Sequence, residues 1–274
     1  MFAALKRLAL GLKDPAPDVL DFVPSLPEGE RIYAIGDVHG RRDLLNELLA
    51  QIDQDDERRG AARTTLILLG DLIDRGHHSA SVVERALRLK ATGDRVHAIK
   101  GNHEEVMLGA LAGDEAAMRL FLRIGGIQTL ESYGVSMEDL PASDELDTLI
   151  QRLQAAVPRE HLAYLSSMED RVMIGDYLFV HAGIRPGVPI ANQDPVEQRW
   201  IRNSFLDFTG LHGMMVVHGH SITEEPELRP NRLGIDTGAY YSGVLTAIGL
   251  QGTDRWILQT QPNGNEVTGS AGED

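Results

Sequence analysis

Asp37 and His39 flank Val38 at the end of the hydrophobic run in IYAIGDVHGR, residues 32 to 41. The same ending recurs along the chain. LILLGDLIDRG stops on Asp71, with Asp74 and Arg75 just beyond, and HAIKGNHEE stops on Asn102 and His103. YLFVHAG ends on His181, and MMVVHGHS on His218 and His220. Any one of these could be a turn or a helix cap, because glycine accepts a positive φ and aspartate bonds its own backbone. Together they ask for one cause, since each buried polar group left unpaired costs about 1 to 3 kcal/mol. A set of three His, two Asp and one Asn, at 37, 39, 71, 102, 181 and 220, is what two adjacent divalent cations of intermediate hardness need, and Asp71 could bridge them. Flanking glycines let the backbone turn sharply and come close to a ligand.

The elements that must position these residues are legible as hydrophobic periodicity. Strand RIYAIG, helix RRDLLNELLAQI, strand TTLILLG, helix SASVVERALRL and strand RVHAIKG follow one another, and a further helix starts near Glu104. This βαβαβ order predicts parallel strands, whose carboxyl ends are where α/β sheets bind ligands. From about Glu105 to Ser167 the pattern is helical, with GGIQTLESYG between helices. From Arg171 onward short strands return: RVMIG, YLFVHAG, MMVVHG, LGIDTG, GVLTAIGL and RWILQT. The expected organisation is an N-terminal arm over residues 1–30, one domain over 31–260 with a helical insert at about 105–167, and a tail at 261–274 whose composition predicts disorder.

Composition narrows the chemistry. With 274 residues, 42% of them hydrophobic, the chain can bury a sizeable core. The absence of cysteine excludes disulfides, thiolate zinc sites and a cysteine nucleophile, so a metal must sit on oxygen and nitrogen. A formal charge of −15 argues against a nucleic-acid polymer or an anionic membrane as partner. No stretch reaches the roughly 18 to 20 apolar residues of a membrane span. The start, MFAALKRLALGLKDPAP, is read as a helical arm, its LALGL run being too short for an export signal, and the expected location is cytoplasmic.

GDVHG, GDLIDRG, GNHE, HAG and HGH, in this order from Gly36 to His220, resemble the motifs of the calcineurin-like metallophosphoesterases. Within these, they are similar to the phosphoprotein phosphatase family, whose bacterial branch includes serine/threonine protein phosphatases, lambda phosphatase and diadenosine tetraphosphatases. The resemblance implies an α/β fold with a central β-sandwich flanked by helices and the active site at the carboxyl ends of the strands. It implies that Asp37, His39 and the bridging Asp71 hold one metal, and Asp71, Asn102, His181 and His220 the second. Of the two histidines in HGH, His220 is taken as the ligand. His103 matches the general acid, Asp74 the carboxylate that orients it, and Arg75 an arginine that grips phosphate. Arg202 in RWIRNSF is similar to the second phosphate-binding arginine, with Arg185 in HAGIRP as the alternative, and Asn102 also faces substrate. The chain reads HAG where the eukaryotic protein phosphatases read HGG, and lacks their longer C-terminal half.

The implied reaction is hydrolysis of a phosphate ester by direct attack of a hydroxide shared by two divalent cations, manganese first, with iron or zinc as alternatives. The implied substrate is first phosphoserine or phosphothreonine on a protein, with phosphotyrosine beside them. Second comes a dinucleoside polyphosphate of the diadenosine tetraphosphate kind, since such a site sees only a phosphoryl group. A small phosphomonoester or phosphodiester would meet it as well. An inactive scaffold fits poorly, because every ligand and the acid are present. A monomer is expected.

Overall fold

The computed structural model describes residues 22–136 and 145–261. The expected arm and tail therefore fall largely outside the described residues. Strand β1 (Glu30–Ile35) is followed by helix α1 (Arg42–Arg59), β2 (Arg63–Leu68), α2 (Ser79–Lys90), β3 (Val96–Ala98) and α3 (Asn102–Leu111). Then come four helices, α4 (Glu115–Arg123), α5 (Gly126–Ser132), α6 (Glu145–Ala156) and α7 (Arg159–Ser166). The second half carries β4 (Arg171–Ile174), β5 (Tyr177–Val180), α8 (Pro195–Trp200), α9 (Asn203–Leu206), β6 (Met215–His218), β7 (Glu227–Leu228), β8 (Arg232–Gly234), α10 (Ala239–Ser242), β9 (Thr246–Gln251) and β10 (Asp254–Gln259).

The strands form two five-stranded sheets, in the orders β10-β9-β1-β2-β3 and β4-β5-β6-β8-β7. In the first, β1, β2 and β3 run parallel, with Ile35 opposite Leu68 and Leu68 opposite Ala98 at their carboxyl ends. In the second, β5, β6 and β8 run parallel, and Val217 faces both Phe179 and Leu233. The antiparallel strands lie at the margins, β9 and β10 in one sheet and β4 and β7 in the other.

Period-two alternation explains why the sheets stack. Ile32, Ala34, Ile67 and Ile248 point one way and meet Tyr177, Phe179, Met215 and Val217 of the other sheet in one buried cluster. Their neighbours Tyr33, Ile35 and Leu68 point the opposite way and pack under α1, α2 and α3 with Leu44, Leu48, Val83 and Met107. Leu178, Val180 and Val216 face outward from the second sheet against Ile201 and Phe205. With apolar neighbours on both faces, these strands read as continuous hydrophobic runs, and a polar residue is tolerated only where they stop. The α/β sandwich matches the sequence expectation. The departures are small: LGIDTG is a strand only as far as Gly234, and the short β7, α8, α9 and α10 had no periodic signal long enough to find them.

Candidate active site where the parallel strands end

The residues singled out at strand ends converge in the structure, His218 excepted. Asp37 and His39 follow β1, Asp71, Asp74 and Arg75 follow β2, and Asn102 and His103 open α3 after β3. His181 follows β5, His218 is the last residue of β6, and His220 lies just past it. Asp71 is the centre. Its Oδ2 lies 3.4 Å from His181 Nε2, 3.7 Å from His39 Nε2 and 3.8 Å from His103 Nε2. Its backbone carbonyl accepts the N–H groups of Val38 and His39, which locks the first loop onto the second.

Each imidazole is oriented by its other nitrogen. His39 Nδ1 bonds the Ile73 carbonyl at 2.8 Å, and His181 Nδ1 the Leu69 carbonyl at 2.8 Å, so both present Nε2 to the centre. That arrangement fixes the tautomer a metal ligand needs. Asn102 Oδ1 sits 2.9 Å from His181 Nε2 and 3.0 Å from His220 Nδ1, while His220 Nε2 is buried with no hydrogen-bond partner. Asp37 accepts the His220 N–H with both oxygens, at 3.2 and 3.0 Å. Two groups of donor atoms lie within 4.8 Å of one another: His39 with Asp71 and His103, and Asp71 with His181 and His220. These buried oxygen and nitrogen atoms fit divalent cations of intermediate hardness, with Asp71 common to both groups.

The electrostatics agree for most of this set; at His181 the charge of Asp71 outweighs burial and raises the imidazole pKa. Burial lifts the Asp37 carboxyl well above its ordinary value, and the neighbouring charges of Asp236 and Asp71 add to the lift. Burial acts the same way on Asp71, but the imidazoles of His181 and His103 outweigh it and hold this carboxyl well below the usual range. Burial, helped by the Arg75 guanidinium, keeps His39 neutral, and burial beside His181 does so for His220. A neutral imidazole is the metal-binding form.

His103 sits in a different setting. Its Nδ1 lies 2.6 Å from Asp74 Oδ2, and Asp74 Oδ1 accepts the Thr129 hydroxyl at 2.6 Å. The Asp74 N–H donates to Ser79 Oγ and Thr129 Oγ1. Burial opposes the protonated imidazole, yet Asp71 and Asp74 more than offset it and raise the His103 pKa. Arg75 is half-buried, its guanidinium 4.8 Å from the centre of the Tyr240 ring. Arg202 is exposed and near enough to His220 for its charge to depress that imidazole. Arg185 is bound by Glu197 instead, with Nε 2.8 Å from Oε2. His218 faces the Phe205 ring edge-on at 5.1 Å, and burial drops its pKa to about 4.

Among the described residues, five that are not glycine have φ in the left-handed region: His39, Asp71, Asp74, Arg75 and His220. All five belong to this cluster. Such backbone costs on the order of 1 kcal/mol or more per residue, and only a densely bonded surrounding maintains it.

Part of that surrounding escaped sequence reasoning. Glu104 is fully buried and accepts the N–H groups of Asp71, Leu72 and Gly101, tying the second and third loops together. Burial and the charge of Asp71 push its pKa up to about 7. Asp236, just past β8, is a sixth strand ending in a polar residue, and LGIDTG carried the same signal as the other five. Tyr240 lies edge to face with His39 at 5.5 Å, and its turn is pinned by the Arg41 guanidinium on the Ala239 carbonyl. Thr129 reaches Asp74 from 55 positions away on a helix, and nothing in its local sequence announces that.

Comparison with known proteins places the arrangement. The chain is 31% identical over 157 residues to a bis(5'-nucleosyl)-tetraphosphatase, symmetrical, of Acidovorax ebreus, a match that takes in 57% of this chain and 44% of that protein. The chain thus spans less than half the length of that relative. A protein of the same name from a Janthinobacterium species is 29% identical over 297 aligned positions, covering 84% of this chain and 95% of its own. A solved structure assigned provisionally as a diadenosine tetraphosphatase shares the fold, with a TM-score of 0.58 and 21% identity over 89% of this chain and 97% of its own. Residues 30–235 match the family model for calcineurin-like phosphoesterases, a range that holds Asp37, His39, Asp71, Asp74, Asn102, His103, His181 and His220, so the chain belongs to that family and is a metal-dependent phosphoesterase.

Proposed function

We propose that the chain hydrolyses dinucleoside polyphosphates at the cluster around Asp71. The observation that carries this reading is the name shared by its relatives, bis(5'-nucleosyl)-tetraphosphatase, on a chain whose catalytic-type residues are all present. It moves the nucleotide substrate, second in the sequence reading, ahead of the phosphoprotein. Tyr240 and Tyr241, half-buried rings 5.1 Å apart beside Arg75, favour it further, because a nucleobase gains about 1 to 3 kcal/mol by stacking on an aromatic side chain.

In this proposal Asp37, His39 and Asp71 hold one divalent cation, and Asp71, Asn102, His181 and His220 the other. When bound, the two cations supply a hydrolytic nucleophile at neutral pH and stabilise the charge that develops on phosphoryl oxygens. Manganese is the cation for the assays, and iron and zinc suit the same donors. Arg75 and Arg202 take the phosphoryl oxygens, and their charge matters most in the transition state. His103, held at Nδ1 by Asp74, carries a proton on Nε2 and gives it to the departing oxygen. Buried Glu104 and Thr129 keep these groups in place.

The test is to compare kcat/KM for diadenosine tetraphosphate and for a phosphoserine peptide with the same manganese-loaded protein. The nucleotide should be preferred by at least about tenfold, the worth of one stacked base. Preference for the peptide would return the substrate to the phosphoprotein class.

A further inference from the structure

A cleft of about 580 Å³ opens between α1, α2 and the start of α7. Its lining is basic in a chain of net charge −15. Arg42 comes from the start of α1, and Arg85 and Arg88 from α2, against a single carboxylate, Glu84. That carboxylate is already committed: Arg88 Nε lies 2.5 Å from its Oε1 and His161 Nε2 3.0 Å from its Oε2. Arg42 and Arg85 have no ion-pair partner among the described residues. Two unpaired guanidiniums facing one cleft repel each other unless an anion comes between them.

Two helices begin at this cleft. Arg42 opens α1, and Ala80 and Ser81, which also line the cleft, belong to the first turn of α2. These helices of 18 and 12 residues start at the cleft, with Asp43, paired to Arg41, in the first turn of α1 and the Ala80 N–H of α2 given to Ser132 Oγ, so the guanidiniums carry the positive charge of the cleft. Asn46 and Ser81 contribute uncharged hydrogen-bonding groups. No residue lining the cleft belongs to the cluster around Asp71, and the two loops of that cluster meet where the His78 N–H bonds the Gly40 carbonyl.

We propose that this cleft binds a phosphate-type dianion, either inorganic phosphate or the terminal phosphate of a nucleotide, gripped by Arg42 and Arg85. The planar guanidinium suits such an oxyanion because it can offer two parallel N–H donors. This site is additional to the one at which hydrolysis is proposed and does not depend on which ester is cleaved there.

Titration of the full-length, manganese-loaded protein with inorganic phosphate, and separately with ADP, tests it by counting sites calorimetrically. The wild type should take up two equivalents of at least one probe. The Arg42→Ala/Arg85→Ala protein should lose one of them, or bind it at least about tenfold more weakly, the scale of a lost charge-assisted bond. Arg75→Ala should keep the cleft site, which separates the two. The Arg42→Lys/Arg85→Lys protein retains the charge and should bind the ion with intermediate affinity, so a general folding defect cannot imitate the result. Binding of phosphate but not ADP identifies a site for the free ion, and binding of both a site open to a nucleotide tail. An unchanged stoichiometry in the double alanine variant, or one equivalent in the wild type with both probes, would overturn the proposal.

Discussion

Replacing His103 by Asn asks whether this imidazole is an acid or a ligand, and the structure makes the two answers measurably different. Its Nδ1 is 2.6 Å from Asp74, as an oriented acid requires, but its Nε2 also stands 3.8 Å from Asp71 beside His39, close enough to join a metal group. A general acid contributes about 10² to 10⁴ in rate, or about 2.7 to 5.5 kcal/mol. That contribution scales with how badly the leaving group needs a proton. A serine alkoxide needs one fully, whereas a departing nucleotide leaves through a phosphate whose second pKa is about 6 and is stable at pH 7 without it. His103→Asn should therefore lose the full factor, about 10² to 10⁴, on a phosphoserine peptide, and about tenfold or less on diadenosine tetraphosphate. The Asn amide can still donate to Asp74, which keeps the buried carboxylate partnered. Steady-state rates on both substrates, with metal content measured on the same preparations, decide the matter. Equal losses on the two substrates refute the acid assignment, and loss of metal with them would make His103 a ligand.

Four further outcomes follow from the geometry. Arg75→Gly should be more stable than Arg75→Ala by about 1 kcal/mol, or about 2 to 4 °C in Tm, because φ is +67° there; equal Tm values would remove the strain argument. Glu105 accepts Arg199 Nη2 at 2.7 Å and Trp200 Nε1 at 2.6 Å, fixing the helix that leads to Arg202. Glu105→Gln should lower kcat and kcat/KM together by about tenfold, and should add nothing once Arg202 is Ala. His212 packs between Phe205 and Phe208, and burial lowers its pKa to about 4, below its unfolded value, so unfolding takes up a proton and stability falls as pH drops from about 6.5 toward 4. The half-buried setting reduces that loss to about 1 to 2 kcal/mol, and His212→Phe should show a smaller Tm difference between pH 7.5 and 5 than the wild type. Chelation should lower Tm by several degrees, since a metal at 100 times its Kd contributes about 2.7 kcal/mol per site; a metal-free protein with unchanged Tm would contradict a site built by folding around cations.

The sequence made the site more legible than its support, for a physical reason. A strand buried on both faces is a continuous hydrophobic run, so the first polar residue after it stands out, and Asp37, Asp71, Asn102, His181 and His220 are all first or near-first polar residues. The sheet order was readable only in part. Parallel β1, β2 and β3 follow from the intervening helices, but the pairing of β9 against β1, across more than two hundred residues, leaves no local trace. Glu104 and Thr129 are hidden for the opposite reason: they act from helices, where a polar residue is ordinary until its burial is known. The choice of Arg202 over Arg185 likewise gains support only from the structure, through the Arg185–Glu197 pair.

The left-handed backbone at five positions and the crowding of carboxylates follow from a single demand. For side chains from six strand ends to reach one point, the loops must reverse within a few residues of the strand, and φ is positive at His39, Asp71, Asp74, Arg75 and His220. Glycine would relieve each of them but would remove the donor atom, so strain stays where chemistry needs a side chain. Where no donor is needed, glycine fills the tightest approaches: a Cβ on Gly40 would meet the Gly76 carbonyl, and one on Gly101 the Asp71 carboxylate. Crowding also gathers Asp37, Asp71 and Asp236 at one buried place, where each raises the cost of ionising another. Divalent cations reverse the sign of that cost, turning mutual repulsion into shared coordination. Until the cations arrive, the hydrogen bonds of Glu104, Thr129 and Ser79 are what hold the strained loops and their like charges together.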